Sequence, residues 1–143
     1  MDKQTLDFWQ EHSLHFLEMV LRNDKRQCLR HPDGYGTKAG ACGDLVEIFL
    51  AVADERIEAA TFETNGCINT IACANTVVTL LEGRTVTEAW EITAEQVIEY
   101  LETLPIPEHH CAEMAVVALR LALASLGETK KAPWKKFYRE GRC

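Results

Sequence analysis

Apolar residues alternate from Asp44 to Thr64 and then, past Asn65-Gly66-Cys67, recur at helical spacing. That change of period, from two to about 3.6, limits the chain to strands followed by a helix at this point. Val46, Ile48, Leu50 and Val52 share one face of the first run, with Leu45, Glu47 and Phe49 on the other. Ala53-Asp54-Glu55 reads as a tight turn and Arg56 to Thr64 as a returning strand, with Ile57, Ala59 and Thr61 on one face. The pair is a β-hairpin. An antiparallel hairpin returns the chain to the end it left, so Cys42 and Asp44, before the outgoing strand, meet Cys67, after the returning one. Ile71, Ala74, Val78 and Leu81 form the stripe of the following helix, and Gly83 is its stop.

Elsewhere the signals are helical or broken. Phe8, Leu14, Leu17 and Leu21, with Phe16 and Val20, outline an opening helix for which Thr5 and Ser13 are both candidate N-caps. From Asn23 to Gly40 the pattern fails, and Pro32, Gly34, Gly36 and Gly40 mark a loop or an irregular edge. A connection from Thr85 to Ile92 leads to Thr93-Ala94-Glu95-Gln96, a capping box ahead of Val97, Leu101 and Leu104. Leu104-Pro105-Ile106-Pro107 is a stiff, extended link. His110 and Cys111 open a last helix ending near Gly127, apolar almost all round from Ala115 to Leu126 except at Arg120, and therefore read as the buried core helix. No repeat or low-complexity segment interrupts this order. The expectation is one α+β domain over residues 1–143, a small antiparallel sheet of about three strands covered on one face by helices.

Charge narrows the partners. Twenty-two acidic residues against fifteen basic ones leave a net charge of −7, which argues against nucleic acid, whose affinity comes mostly from neutralised phosphates. Lys130, Lys131, Lys135, Lys136, Arg139 and Arg142 gather in a basic tail over residues 128–143 that reads as a solvated end. Asp2, Asp7, Glu11 and Glu18 break any signal-peptide core. The stretch from Ala112 to Leu126 falls short of the roughly 20 residues that span a bilayer. No membrane partner is expected, and a cytoplasmic location is, where thiols stay reduced. Six cysteines then point to metal or redox chemistry.

Cys42 and Asp44 sit in the glycine-loosened run Gly40-Ala41-Cys42-Gly43-Asp44, Cys67 at a strand-to-helix junction, and Cys111 after His109-His110 at a helix start. Thiolates are soft donors for zinc or for the iron of iron–sulfur clusters, and an imidazole or carboxylate completes four-coordination. The unpaired N–H groups of a helix start favour anionic sulfur. Cys73, in mid-helix, reads as a small buried hydrophobe, while Cys28 in a polar loop and Cys143 at the end read as incidental. His12, His15 and His31 have no cysteine nearby and suit surface or core roles. Only one of His109 and His110 is expected to point inward, and spacing does not choose between them. Two other readings stand beside a cluster site. One is a structural zinc module; the other is a sulfur-transfer enzyme using Cys111 with His110, or Cys67 with a distant base. Adjacent residues at a helix start point apart, which makes Cys111–His110 a poor nucleophile–base pair.

Ala41-Cys42-Gly43-Asp44 followed by a hairpin, then Asn65-Gly66-Cys67, Ile71-Ala72, and Leu104-Pro105 before His110-Cys111, resembles the IscU/NifU-type iron–sulfur cluster assembly scaffolds over about residues 36–126. The resemblance implies a non-enzymatic scaffold with their fold, on which Cys42, Cys67 and Cys111 hold a nascent, transient [2Fe–2S] cluster or an iron or zinc ion. It implies that Asp44 tunes lability and that His110, rather than His109, is an alternative ligand. Its partners would be a cysteine desulfurase, which supplies persulfide sulfur, and apo-protein recipients. Cys111 is the expected persulfide acceptor, on the ground that its helix start favours the thiolate. The short spacer between Gly83 and Leu104 resembles the IscU type more than the SufU type. Three departures mark a divergent branch. The Leu-Pro-Pro-Val-Lys stretch read by an Hsp70-type chaperone is Leu104-Pro105-Ile106-Pro107-Glu108 here, which puts that partner in question. Lys25-Arg26-Gln27-Cys28 replaces an Asn-Pro-Arg-Asn segment, and Ile68-Asn69-Thr70 replaces smaller residues after Cys67.

Overall fold

Both faces of the hairpin are buried, which alternation by itself does not require. The computed structural model describes residues 12–40 and 43–134. In it three antiparallel strands, β1 (Gly34–Ala39), β2 (Leu45–Ala53) and β3 (Arg56–Thr64), form one sheet in the order β1-β2-β3. Asp54 and Glu55 take left-handed φ values of 52° and 62° between the paired Ala53 and Arg56, the geometry of a two-residue hairpin turn. Val46, Ile48, Leu50 and Phe62 lie in the core. On the opposite face Phe49 and Glu47 are also buried, with the Glu47 carboxylate accepting a 2.6 Å hydrogen bond from the Tyr35 hydroxyl.

Strand β1 corrects the expectation of an irregular edge. Gly34-Tyr35-Gly36 lacks an apolar alternation because its glycines serve a helix instead. A Cβ on Gly36 would fall on the backbone of Ala118 and Ala122, so only a bare backbone lets the last helix lie this close to the sheet.

Five α-helices are described. Ser13 caps α1 (Leu14–Leu21) by accepting from the Phe16 N–H; Thr5 and Phe8 lie outside the described residues. Helix α2 (Ile68–Leu81) begins at Cys67, and Ala72, Cys73, Ala74, Val77, Val78 and Leu81 place it in the core. The stretch expected to be a connection contains a short helix, α3 (Val86–Ala89), closed by its own Thr85–Glu88 capping box. The Thr93–Gln96 box opens α4 (Ala94–Leu101). The proline link is extended at Pro105, after which Ile106–Glu108 winds into a 3₁₀ turn.

That turn leads into α5 (His109–Lys131). It runs through Gly127 instead of stopping there, and Thr129 donates a 2.7 Å hydrogen bond to the Asp33 carbonyl beyond that point. Nor is it buried all round: Glu113, Val117, Arg120, Leu121 and Ala124 face outward, while Ala112, Ala115, Ala118, Leu119, Ala122 and Leu123 face the core. Ile106–Lys131 is long and apolar enough to cross a membrane by length and composition, contrary to the expected shortfall, yet half of its most apolar window is buried within the protein. That is the pattern of a core helix. The outcome is α+β: a three-stranded antiparallel sheet with helices packed against it.

Candidate metal centre

Where β2 begins and β3 ends, side chains tie the loops together. Asn65 Oδ1 accepts from the Leu45 N–H at 2.7 Å, and the Thr64 hydroxyl donates to the Leu45 carbonyl at 2.6 Å. The half-buried Asp44 and the exposed Cys67 therefore lie at one end of the sheet, as the hairpin argument requires. The loop before β2 is braced by the Gly40 N–H on Asp44 O at 2.8 Å and the Gly43 N–H on Gly40 O at 3.1 Å. Cys42, inside that loop, lies outside the described residues. Gly40 abuts α5, since a Cβ there would stand 2.8 Å from Met114 Sδ. It also lines with His110, Lys38 and Glu113 a hollow of about 430 Å³.

The entry to α5 carries the densest chemistry. Buried Leu104 anchors the turn, and its carbonyl is 3.1 Å from His109 Nε2. His109 is thereby occupied away from the sulfurs. His110 Nδ1 lies 3.0 Å from the Pro107 carbonyl, a partner that can only accept, so Nδ1 is the donor in that contact and Nε2 is turned to the other side of the ring. That Nε2 stands 3.7 Å from Cys111 Sγ. Neighbouring side chains thus meet where they were expected to diverge, because the Pro107 contact turns the ring back over the helix entry. Glu108 Oε2 accepts from the Cys111 thiol at 3.6 Å. One ligand atom each from Glu108, His110 and Cys111 lie within 4.8 Å of one another.

Thr70, buried on the first turn of α2, links the two described sulfurs of the expected set. Its hydroxyl donates to Cys111 Sγ at 3.5 Å and lies 4.0 Å from Cys67 Sγ. Asn69 Nδ2 donates to Cys67 at 3.7 Å. Gly66 is needed here because a Cβ would press on the Thr70 side chain at 2.7 Å. The helix start does not hold Cys111 as a thiolate. Burial, together with the Glu108 carboxylate and against the Thr70 hydrogen bond, pushes its thiol up to about 11. The reason for choosing Cys111 as persulfide acceptor is thereby removed.

The structure brings Cys67, Cys111 and His110 together and places Asp44 at the same end of the sheet, with no side-chain link to them among the described contacts. Cys73 is fully buried in mid-helix, and burial raises its thiol well above the usual range. Cys28 lines a cavity with Leu45, Glu47, Phe49 and Asn65, and so borders the same sheet end instead of lying apart. Sequence reasoning named neither Glu108 nor Thr70 as part of the site. The available signal was spacing: each stands three residues from a site cysteine, one helical turn.

Comparison with known proteins supplies the remaining evidence. A family model, the NifU-like N-terminal domain, matches residues 23–132. The iron–sulfur cluster assembly scaffold protein IscU 1 of Archaeoglobus fulgidus is 41% identical over 92 residues, 64% of this chain and 60% of that protein. The chain thus spans about three-fifths of the length of that relative. The IscU scaffold protein of Escherichia coli is 35% identical over 95 residues, 66% of this chain and 73% of that protein. Among solved structures, one described as a SUF-system cluster assembly scaffold, from Fervidobacterium islandicum AW-1, superposes with a TM-score of 0.68 at 17% identity, over 80% of this chain and 97% of that one. A NifU-like protein from Brucella abortus gives 0.51 at 20% identity, over 90% and 95%. At such identities the structural likeness carries the fold alone.

Proposed function

The chain belongs to the NifU-like N-terminal domain family, and from that membership we propose that it is a scaffold on which an iron–sulfur cluster is assembled and then released. The observation that carries the reading is the run of contacts Cys67–Thr70–Cys111, with His110 Nε2 facing the second sulfur, at the sheet end that also holds Asp44. Cys42, Cys67 and Cys111 supply thiolates to a [2Fe–2S] cargo, with His110 or Asp44 as the remaining donor. The same donors suit a lone iron or zinc ion.

Two features suit a carrier over a store. The donors are mixed, and a hard carboxylate or an imidazole holds cluster iron less firmly than a fourth thiolate. Cys67 and His110 are also exposed, so a recipient's thiolates can reach the cargo. Sulfur arrives as a persulfide from a cysteine desulfurase. Of the two described sulfurs in the set, Cys67 is open to such a donor, whereas Cys111 is buried and protonated until a metal draws its proton away. A neutral, buried thiol also makes a poor enzymatic nucleophile, which weighs against Cys111 as a catalytic cysteine. Work on such cargo belongs in the cytoplasm, with apo-proteins as recipients.

Anaerobic reconstitution tests this. Reduced protein given ferrous iron and desulfurase-generated sulfide should develop visible sulfide-to-iron absorption, with iron and acid-labile sulfide bound in equal numbers. One tightly held zinc per chain that iron and sulfide fail to displace would instead identify a structural zinc module.

A further inference from the structure

Resting on the scaffold reading, we infer that Glu108 is itself a metal ligand, forming with His110 and Cys111 a loading site for a divalent ion, ferrous iron or zinc, that acts before sulfur arrives. Two of the three separations are close to those a metal imposes. Bonds of about 2.3 Å to sulfur and about 2.0–2.1 Å to nitrogen and oxygen, at tetrahedral angles, hold ligand atoms roughly 3.3–3.6 Å apart. Cys111 Sγ stands 3.6 Å from Glu108 Oε2 and 3.7 Å from His110 Nε2, and all three atoms fit within 4.8 Å. Glu108 is half-buried and His110 exposed, so the last ångström closes by side-chain rotation in groups that packing does not lock.

Proton count points the same way. Glu108 Oε2 and His110 Nε2 both face the single thiol proton that Cys111 Sγ carries. A cation in that proton's place is bound by all three at once. The donors also come from one stretch of backbone. Glu108 is the N-cap of α5 and His110 and Cys111 lie in its first turn, so the set exists without the loop that holds Cys42. One thiolate, one imidazole and one carboxylate make a borderline donor set, suited to Zn²⁺ and Fe²⁺. Thr70 ties Cys111 to Cys67, so a second sulfur stands beside this set and would be available to the ion once it is held.

The test is anaerobic titration of the reduced full chain with Co²⁺ and, in competition with a chromophoric chelator, with Zn²⁺. Glu108→Gln should weaken both metals by about tenfold or more, at or beyond the effect of disturbing a ligand's support. Glu108→Cys should keep binding and add thiolate-to-cobalt charge-transfer intensity over the wild type, a gain that a merely structural glutamate cannot give. Wild-type affinity in Glu108→Gln, or no added intensity in Glu108→Cys, overturns the assignment even if the wild type builds clusters. Glu108-dependent metal binding in a chain that builds none upholds the assignment and overturns the scaffold reading alone.

Discussion

At Cys111 one thiol proton faces two acceptors, the Glu108 carboxylate at 3.6 Å and His110 Nε2 at 3.7 Å. The apo chain keeps that proton, and the consequence is measurable as stability. Burial holds the folded thiol near 11, against a usual value of 9.0. Between these values the unfolded chain loses the proton first, so the contribution is intact below about pH 9 and fades as pH rises toward about 11. That difference corresponds to roughly 2–3 kcal/mol, with buried Cys73 adding a loss of the same sign. Urea unfolding of reduced apo-protein across this window should show a steeper decline for wild type than for Cys111→Ser; parallel declines would remove Cys111 as the cause. His109 and His110 divide at the same scale. His110→Ala should flatten the fall in zinc affinity from about pH 8 to 6, the range in which free imidazole titrates. His109→Ala should keep the wild-type slope, because its ring is held by Leu104 O. An exchange of these two behaviours in a zinc competition titration would make His109 the ligand.

Elements differ in how plainly they are written in the chain. The hairpin, α2 and α4 follow from alternation, a helical stripe and a capping box, all local signals. Strand β1 escaped because Gly36 answers to α5, more than eighty residues away in sequence, and not to its neighbours. Gly36→Ala should therefore cost about 3 kcal/mol or more, since its Cβ meets backbone at Ala118 and Ala122 that cannot turn aside. By tilting α5 it should also lower zinc affinity. A denaturation midpoint within error of wild type would mean that α5 does not rest on β1 as described. Helix α3 is too short for a period to show, although Thr85 and Glu88 spell its cap. Within the site, the convergence of Asp44 and Cys67 at one end of the sheet was legible from hairpin topology. The protonated state of Cys111 was not, because burial outweighs the helix start and burial depends on the packed whole.

Across the whole molecule the strands and helices bring separate stretches of chain to one end of a small acidic domain, which leaves a cargo close to solvent. Asp44, half-buried at that end, should act on release: Asp44→Ala is expected to lengthen cluster lifetime in air, and a shorter lifetime would make Asp44 a required ligand instead. The central claim is that the site holds a cluster in order to give it up. Reconstituted protein mixed anaerobically with an apo-ferredoxin, and followed by the circular dichroism of the ferredoxin cluster, tests this most directly. The account predicts transfer approaching one cluster per scaffold chain, with the scaffold recovered metal-free and able to reload. A cluster that stays on the chain while the ferredoxin remains apo, or a chain that never acquires one, would contradict it.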